Sequence, residues 1–310
     1  MLVLAALSVA ACADSTGSDQ AEDTGDDDGS ADADSDTDTD ADVDSDTDAD
    51  SDTDTGWQPP ADSLVYANTA DGLYYIDPAL SQELQFVGDF SGPCTSGSGL
   101  YDIAVDEDGE IVGIAAEGLY AVDDETAECS WILEFPDGSP HFFSLSYVKG
   151  ADLEQPDTDV LVAASVEEGE WVRVDPEGQT TEEIFVHLGY HDPGVFEYVS
   201  SGDIVSLEVG PGEYRTYATL KCSDGYGGEG CENDWLASID PENGEAELIG
   251  DVGFRKLFGL GFWGDQVYGF TGDQQFVLVD VETGQGTLVE DSGLTFWGAG
   301  TTTKPYVEIE

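Results

Sequence analysis

Five times the chain repeats one short phrase, an alternating apolar run closed by an aspartate: Leu73–Asp77, Leu119–Asp123, Trp171–Asp175, Leu236–Asp240 and Phe276–Asp280. The closing aspartates stand 46, 52, 65 and 40 residues apart. Alternation with a period of two is the pattern of a strand with one buried face. A turn follows each phrase (Pro78-Ala79, Asp124-Glu125, Pro176-Glu177-Gly178, Pro241-Glu242-Asn243-Gly244, Glu282-Thr283-Gly284), and then another apolar run. Two more runs precede most copies, as at Tyr101–Val105 and Ile111–Ala115. Four short strands in roughly 50 residues is the period of a β-propeller blade.

The expected fold is therefore all-β, a propeller of about five four-stranded blades, each blade lettered a to d from the axis outward. Strands b, c and d of the first blade fall at Leu64–Ala67, Leu73–Asp77 and Glu83–Phe90. Full blades follow at Leu100–Phe135, Phe142–Leu188, Gly202–Gly250 and Leu257–Glu290. The first blade lacks strand a, and Leu294–Gly298 at the far end echoes Gly261–Gly264, so the C-terminal strand is expected to close the ring. Closure removes the exposed strand edges on which such sheets aggregate. The aspartate ending each c strand reads as structural, its carboxylate accepting backbone N–H groups of the turn.

Charge sets the rest of the organisation. Lys and Arg number 7 against 69 Asp and Glu, a formal net charge of −62. Nucleic-acid binding needs a basic stripe to neutralise phosphates, and seven scattered cations cannot supply one. Residues 13–56 carry 19 acidic side chains and no basic one, and every even position from Asp32 to Asp54 is aspartate. A segment with almost no large apolar side chain cannot offset its ordering entropy, so 12–56 is expected to be a disordered, extended acidic linker. It lacks the D-x-D-x-D-G spacing of a calcium loop; weak divalent-cation binding is the most it suggests, and no cofactor is expected. Ahead of it, Met1–Ala11 is an apolar run too short to span a bilayer, ending in small residues like a secretory signal. Val9-Ala10-Ala11-Cys12 resembles the bacterial lipobox, which makes Cys12 the expected lipidated residue, although no Lys or Arg precedes the run. The domains are then a lipoprotein signal peptide at 1–11, the lipidated cysteine and linker at 12–56, and the propeller at 57–310.

The lipobox, the Asp/Ser/Thr tract and the segments Tyr198–Val205 (YVSSGDIV), Leu257–Gly264 (LFGLGFWG), Tyr268–Thr271 (YGFT) and Phe296–Thr302 (FWGAGTT) resemble the Asp-rich β-propeller lipoproteins of myxobacterial-type genomes. The resemblance covers nearly the whole chain. It implies a fold and a location in the cell envelope, and carries over no activity, ligand or site residue.

With Cys12 lipidated, four cysteines remain, an even number that favours disulfides in an exported chain. Cys222 and Cys231 flank a short Gly-rich loop and are the surer pair. Cys94 is left for Cys129. The strand assignment puts Cys94 near one face and Cys129 just past a turn on the other, yet bridged Cα atoms must lie within about 7 Å. Register and bridge therefore conflict at this point. His187 and His191 sit four apart, but on a strand end and loop where that spacing fixes no ligand geometry, and no metal site is assigned. No nucleophile elbow, P-loop or dinucleotide fingerprint is present.

These features point to a monomeric envelope lipoprotein, attached to the outer membrane by its lipid and either periplasmic or surface-exposed, that binds a protein, peptide or glycan. The alternative is a propeller enzyme, glycosidase-like or resembling a calcium-dependent lactonase; its mark would be two carboxylates about 5–10 Å apart, or carboxylates with Asn and His around an ion. The c–d turns are short, as structural turns are. The d–a connections (Ser91–Gly99, Pro136–His141, Gly189–Ser201, Asp251–Lys256) and the b–c loop Lys221–Asp234 are longer and share one face. The candidate binding residues are accordingly His141, Tyr190, His191, Phe196, Tyr226 and Phe254, since binding groups concentrate on loops held by a rigid scaffold.

Overall fold

The computed structural model describes residues 63–303, apart from 98, 151–157, 166–168, 191–197, 211–212 and 265; the side chains of 207–210 are also outside it. The expected signal at 1–11, Cys12 and the linker at 12–56 lie outside the described residues.

Twenty strands form five antiparallel four-stranded sheets. The first sheet is β20 (Phe296–Thr301), β1 (Val65–Thr69), β2 (Gly72–Ile76) and β3 (Gln85–Asp89). The second is β4 (Asp102–Val105), β5 (Ile111–Ala115), β6 (Gly118–Val122) and β7 (Cys129–Glu134). The third is β8 (Ser144–Val148), β9 (Val160–Ala164), β10 (Glu170–Val174) and β11 (Phe185–Tyr190). The fourth is β12 (Tyr198–Gly210), β13 (Glu213–Cys222), β14 (Trp235–Ile239) and β15 (Ala246–Asp251). The fifth is β16 (Leu257–Trp263), β17 (Gln266–Thr271), β18 (Gln275–Val279) and β19 (Gly286–Asp291). The inner strands touch in the cyclic order β4, β8, β12, β16, β20 and back to β4. The fold is a five-bladed β-propeller, and the C-terminal strand closes it by pairing with β1, Val65 opposite Thr301 and Ala67 opposite Ala299.

Burial follows radius. Strands β4 and β5 are buried throughout, whereas the outer strand β19 is exposed or half-exposed along its length. The core is five apolar layers, one between each pair of neighbouring blades; Leu73, Leu100, Ile103 and Tyr120 fill the first, and Phe270, Phe276 and Phe296 close the last. Each such side chain, fully buried, contributes about 1.5–3 kcal/mol.

The closing aspartates act as the sequence suggests. Asp77 accepts from the N–H of Ala79, Asp175 from that of Glu177 and Asp240 from that of Glu242. Asp123 accepts from the N–H and hydroxyl of Thr126, and Asp280 from those of Thr283. Two departures are local. A single helical turn, α1 (Thr181–Ile184), precedes β11; the Thr180 hydroxyl caps it by accepting the Glu183 N–H, and the Glu183 carboxylate accepts the N–H of Gln179. Strand a of the fourth blade begins at Tyr198, not Gly202, because its register shifts between Ser200 and Ile204 and lets the strand run on above the irregularity.

Both disulfides are present, Cys222–Cys231 and Cys94–Cys129, with Cα separations of 5.7 and 5.9 Å. The conflict over the second dissolves in the twist of the blades. In all five, the pairing of strands c and d shifts register just after the first residue of the repeated phrase, at Leu73, Leu119, Trp171, Leu236 and Phe276. The residues passed over on strand d are all aliphatic: Val87, Ile132, Leu188, Ile249 and Val289. A bulge bends its strand and adds to the ordinary right-handed twist. The end of an outer strand thus swings onto the c–d turn of the following blade. Gly189 packs on the Asn243 carbonyl and Gly250 on that of Thr283, so closely that a Cβ at either glycine would overlap the carbonyl oxygen. By the same swing Ser91 pairs with Glu128, which brings Cys94 to Cys129.

Candidate functional site

The inner strands present one equivalent position in each blade: Asp102, Ser144, Asp203, Gly259 and Gly298. Each is followed by an apolar residue, and all five of the following N–H groups converge on two carboxylates. Asp102 Oδ1 accepts from Ile103 at 2.8 Å and Ala299 at 3.2 Å, and its Oδ2 from Leu145 at 2.8 Å. Asp203 Oδ1 accepts from Ile204 at 2.6 Å and its Oδ2 from Leu260 at 2.7 Å. The two side chains are fully buried and close enough for each carboxyl to act on the other. The small residues at the other three positions make room: a Cβ on Gly298 would overlap Asp102 Oδ1, and one on Gly259 would lie 2.7 Å from the Ala299 nitrogen. Burial raises both carboxyls well above the usual range, and for Asp102 the charge of Asp203 raises it further.

This pair was not singled out in the sequence, although the Asp-Ile dipeptides at 102–103 and 203–204 and the glycines of GLG and GAG mark its positions. It differs from a glycosidase pair: the carboxyls are closed to solvent and have their oxygens occupied by amides.

The candidate residues on the d–a and b–c face are spread around it. His141 is exposed in the connection before β8. Tyr190, 53 % exposed, ends β11 and packs its ring against His187, whose Nδ1 is 3.4 Å from Glu170. His191 and Phe196 lie outside the described residues. Tyr226 and Phe254 are half-buried and both bond to Asp234, the hydroxyl of Tyr226 to its carboxylate and the carbonyl of Phe254 to its N–H, at the junction of the fourth and fifth blades. The Tyr226 hydroxyl donates to Asp234 at 2.6 Å and accepts from the Lys256 N–H at 3.0 Å. Asp234 also accepts the Leu257 N–H, and burial pushes its carboxyl up to about 6. Above this network a cleft of 370 Å³ is lined by Glu232, Asn233, Phe254, Arg255, Asp273 and Gln275. Asp273 holds Arg255 at 2.7 Å and Lys256 at 2.6 Å. Lys221, half-buried beside Asp234, has its ammonium pKa lowered by burial.

The a–b face carries a smaller recess of 240 Å³, lined by acidic residues including Glu107, Asp108 and Asp124. Near it Lys149, 2 % exposed, pairs with Asp159 at 2.8 Å and Glu107 at 3.2 Å. Among the described residues, no three His, Cys, Asp or Glu side chains gather as metal ligands, and no helix is long and apolar enough to cross a membrane.

No protein-family model matches the chain, and no curated protein matches it. Among solved structures it is similar to TolB from Acinetobacter baumannii, at 13 % identity over 80 % of this chain and 68 % of that one, with a TM-score of 0.39. It is similar to BamB from Moraxella catarrhalis at 16 % identity over 76 % of this chain and 63 % of that one, with a TM-score of 0.29. A PQQ-bound aldose sugar dehydrogenase from Streptomyces coelicolor matches at 15 % identity over 73 % of this chain and 66 % of that one, with a TM-score of 0.39. The chain spans 60 % of the length of a computationally designed protein that it also matches, at 14 % identity over 75 % of this chain and a TM-score of 0.32. Likeness at this level assigns no activity, ligand or partner to this chain.

Proposed function

We propose that the chain is a lipid-anchored envelope protein whose propeller is a binding module without chemistry, with its ligand seated on the d–a and b–c face at the junction of the fourth and fifth blades. The observation that carries the placement is electrostatic. Three of the seven basic residues, Lys221, Arg255 and Lys256, gather at this one corner of an otherwise acidic domain, beside Tyr226 and Phe254. A carboxylate-bearing or strongly polar ligand is repelled least here, and the aromatic side chains offer contact area. The cleft sits next to a loop stapled by Cys222–Cys231, so its groups are held in place before a ligand arrives. Anchoring through Cys12, with the acidic tract as spacer, rests on the lipobox alone.

Two experiments test this reading. The binding face is tested by screening the propeller against glycan, peptide and envelope-extract arrays, then comparing Lys221→Ala and Arg255→Ala with Glu107→Ala and Asp108→Ala. Loss of retention in the first pair alone supports the assignment; loss in the second pair alone overturns it. The anchor is tested by detergent partition of the chain and its Cys12→Ser variant from a Gram-negative host, both supplied with a basic signal start. The native chain should enter the detergent phase and the variant should not; if both stay aqueous, the anchor is wrong.

A further inference from the structure

Two buried carboxyls share the axis with five amide N–H donors. Asp102 and Asp203 are fully buried and close enough for each carboxyl to act on the other, and two ionised carboxylates have no hydrogen with which to bond one another. Two ionised carboxylates in contact and away from water would add like-charge repulsion to the cost of burial. One negative charge, by contrast, suits the site well: five amide N–H groups point at the pair, one from each blade. The strands packed around the pair bring no opposing charge to this level. The equivalent positions are Ser144 on β8, Gly259 on β16 and Gly298 on β20, and Asn68 on β1 stands opposite Gly298. The Oδ1 of Asn68 is buried against the same glycine as Asp102 Oδ1 and has no hydrogen-bond partner.

We infer that Asp102 and Asp203 hold a single proton between them at neutral pH, and that this proton-bound pair is the clasp tying the five inner strands together at the axis. The proton belongs to the pair and not to either residue. The sign of the linkage follows. Unfolded aspartates release their protons near pH 3.9, whereas the folded pair keeps one well above that. The stability it gives is complete below about pH 4 and is lost as pH rises through the folded pKa. Ionisation leaves two charges on the axis, so the clasp loosens toward alkaline pH.

The direct test is infrared spectroscopy of the folded chain in heavy water at pH 8, where exposed carboxyls are ionised and Asp234 is above its range. The wild-type protein should show the C=O stretch of a neutral carboxylic acid, and Asp102→Asn and Asp203→Asn should each lack it. Urea unfolding between pH 5 and 8 gives the second readout. The wild-type unfolding constant should rise with pH more steeply than that of either variant, by up to tenfold per pH unit, the linkage of one proton. A wild-type spectrum without the acid band overturns the inference, whether or not the variants fold. So does an equal pH dependence in all three proteins.

Discussion

Two sets of aspartates in this propeller accept backbone N–H groups, the five that close the repeated phrase at the rim and the two at the axis, and Asp123 and Asp280 of the first set shift in the opposite sense to the axial pair. At the rim, the Thr126 hydroxyl and N–H hold Asp123 below the usual carboxylate range, and the N–H and hydroxyl of Thr283 do the same for Asp280. Water solvates those charges, and each stands alone in its turn. At the axis the same residue type meets the same donors, but burial and the neighbouring carboxyl dominate, and the pKa moves up. Hydrogen bonds to the ionised form favour it in both places; desolvation and like charge decide the outcome. The rim aspartates fix local turns, each within its own blade. The axial pair reaches strands of all five blades, so it bears on closure of the ring.

Substitutions of graded severity can break this contrast. Asp102→Ala should have the largest effect, about 3–5 kcal/mol in urea denaturation, because it strands three buried N–H donors and leaves Asp203 without its partner. A loss below about 1 kcal/mol would mean that the axis is not the clasp. Replacing Cys94 and Cys129 by serine opens a loop with a sequence separation of 35 and should cost about 2–4 kcal/mol; a near-zero cost would show that the bulged outer strands hold neighbouring blades together unaided. Gly298→Ala drives a methyl group into Asp102 and should cost about 1–3 kcal/mol, whereas alanine at Gly261 would test only the packing against Val65. Asp280→Ala should be the mildest. Its lowered pKa contributes stability above the unfolded value and loses it as pH falls through the folded one, so the melting difference from wild type should shrink on acidification. The axial variants should show the reverse trend, their deficit growing as pH falls.

The rim was legible in the sequence because its repeating unit is a side-chain pattern: an alternating run, an aspartate and a turn. Strand order, ring closure and the turn-accepting role of Asp123 and Asp280 follow from that pattern. The axis was not legible, because what repeats there is the backbone N–H of Ile103, Leu145, Ile204, Leu260 and Ala299, while the preceding residue is Asp, Ser, Asp, Gly and Gly. Only two blades carry the acceptor, and the others are small so that it fits. The strand assignment sets Cys94 and Cys129 on opposite faces because the bulges that swing each outer strand toward the next blade leave no residue-type signal beyond their aliphatic residues and the glycines after some of them. Of the candidate binding residues, Tyr226 and Phe254 both bond to Asp234 beside a cleft, and the concentration of scarce cations there has no local sequence pattern.

Carbon-13 labelling of aspartate alone, with the carboxyl shifts followed against pH, tests the contrast most directly. Signals are assigned by their disappearance in Asp123→Asn, Asp280→Asn, Asp102→Asn and Asp203→Asn. The rim signals should titrate below the ordinary aspartate range, and the axial pair should show a step well above it that neither single variant retains. Axial signals that titrate with the rim, or that show both carboxyls ionised throughout the neutral range, would contradict a proton-bound clasp.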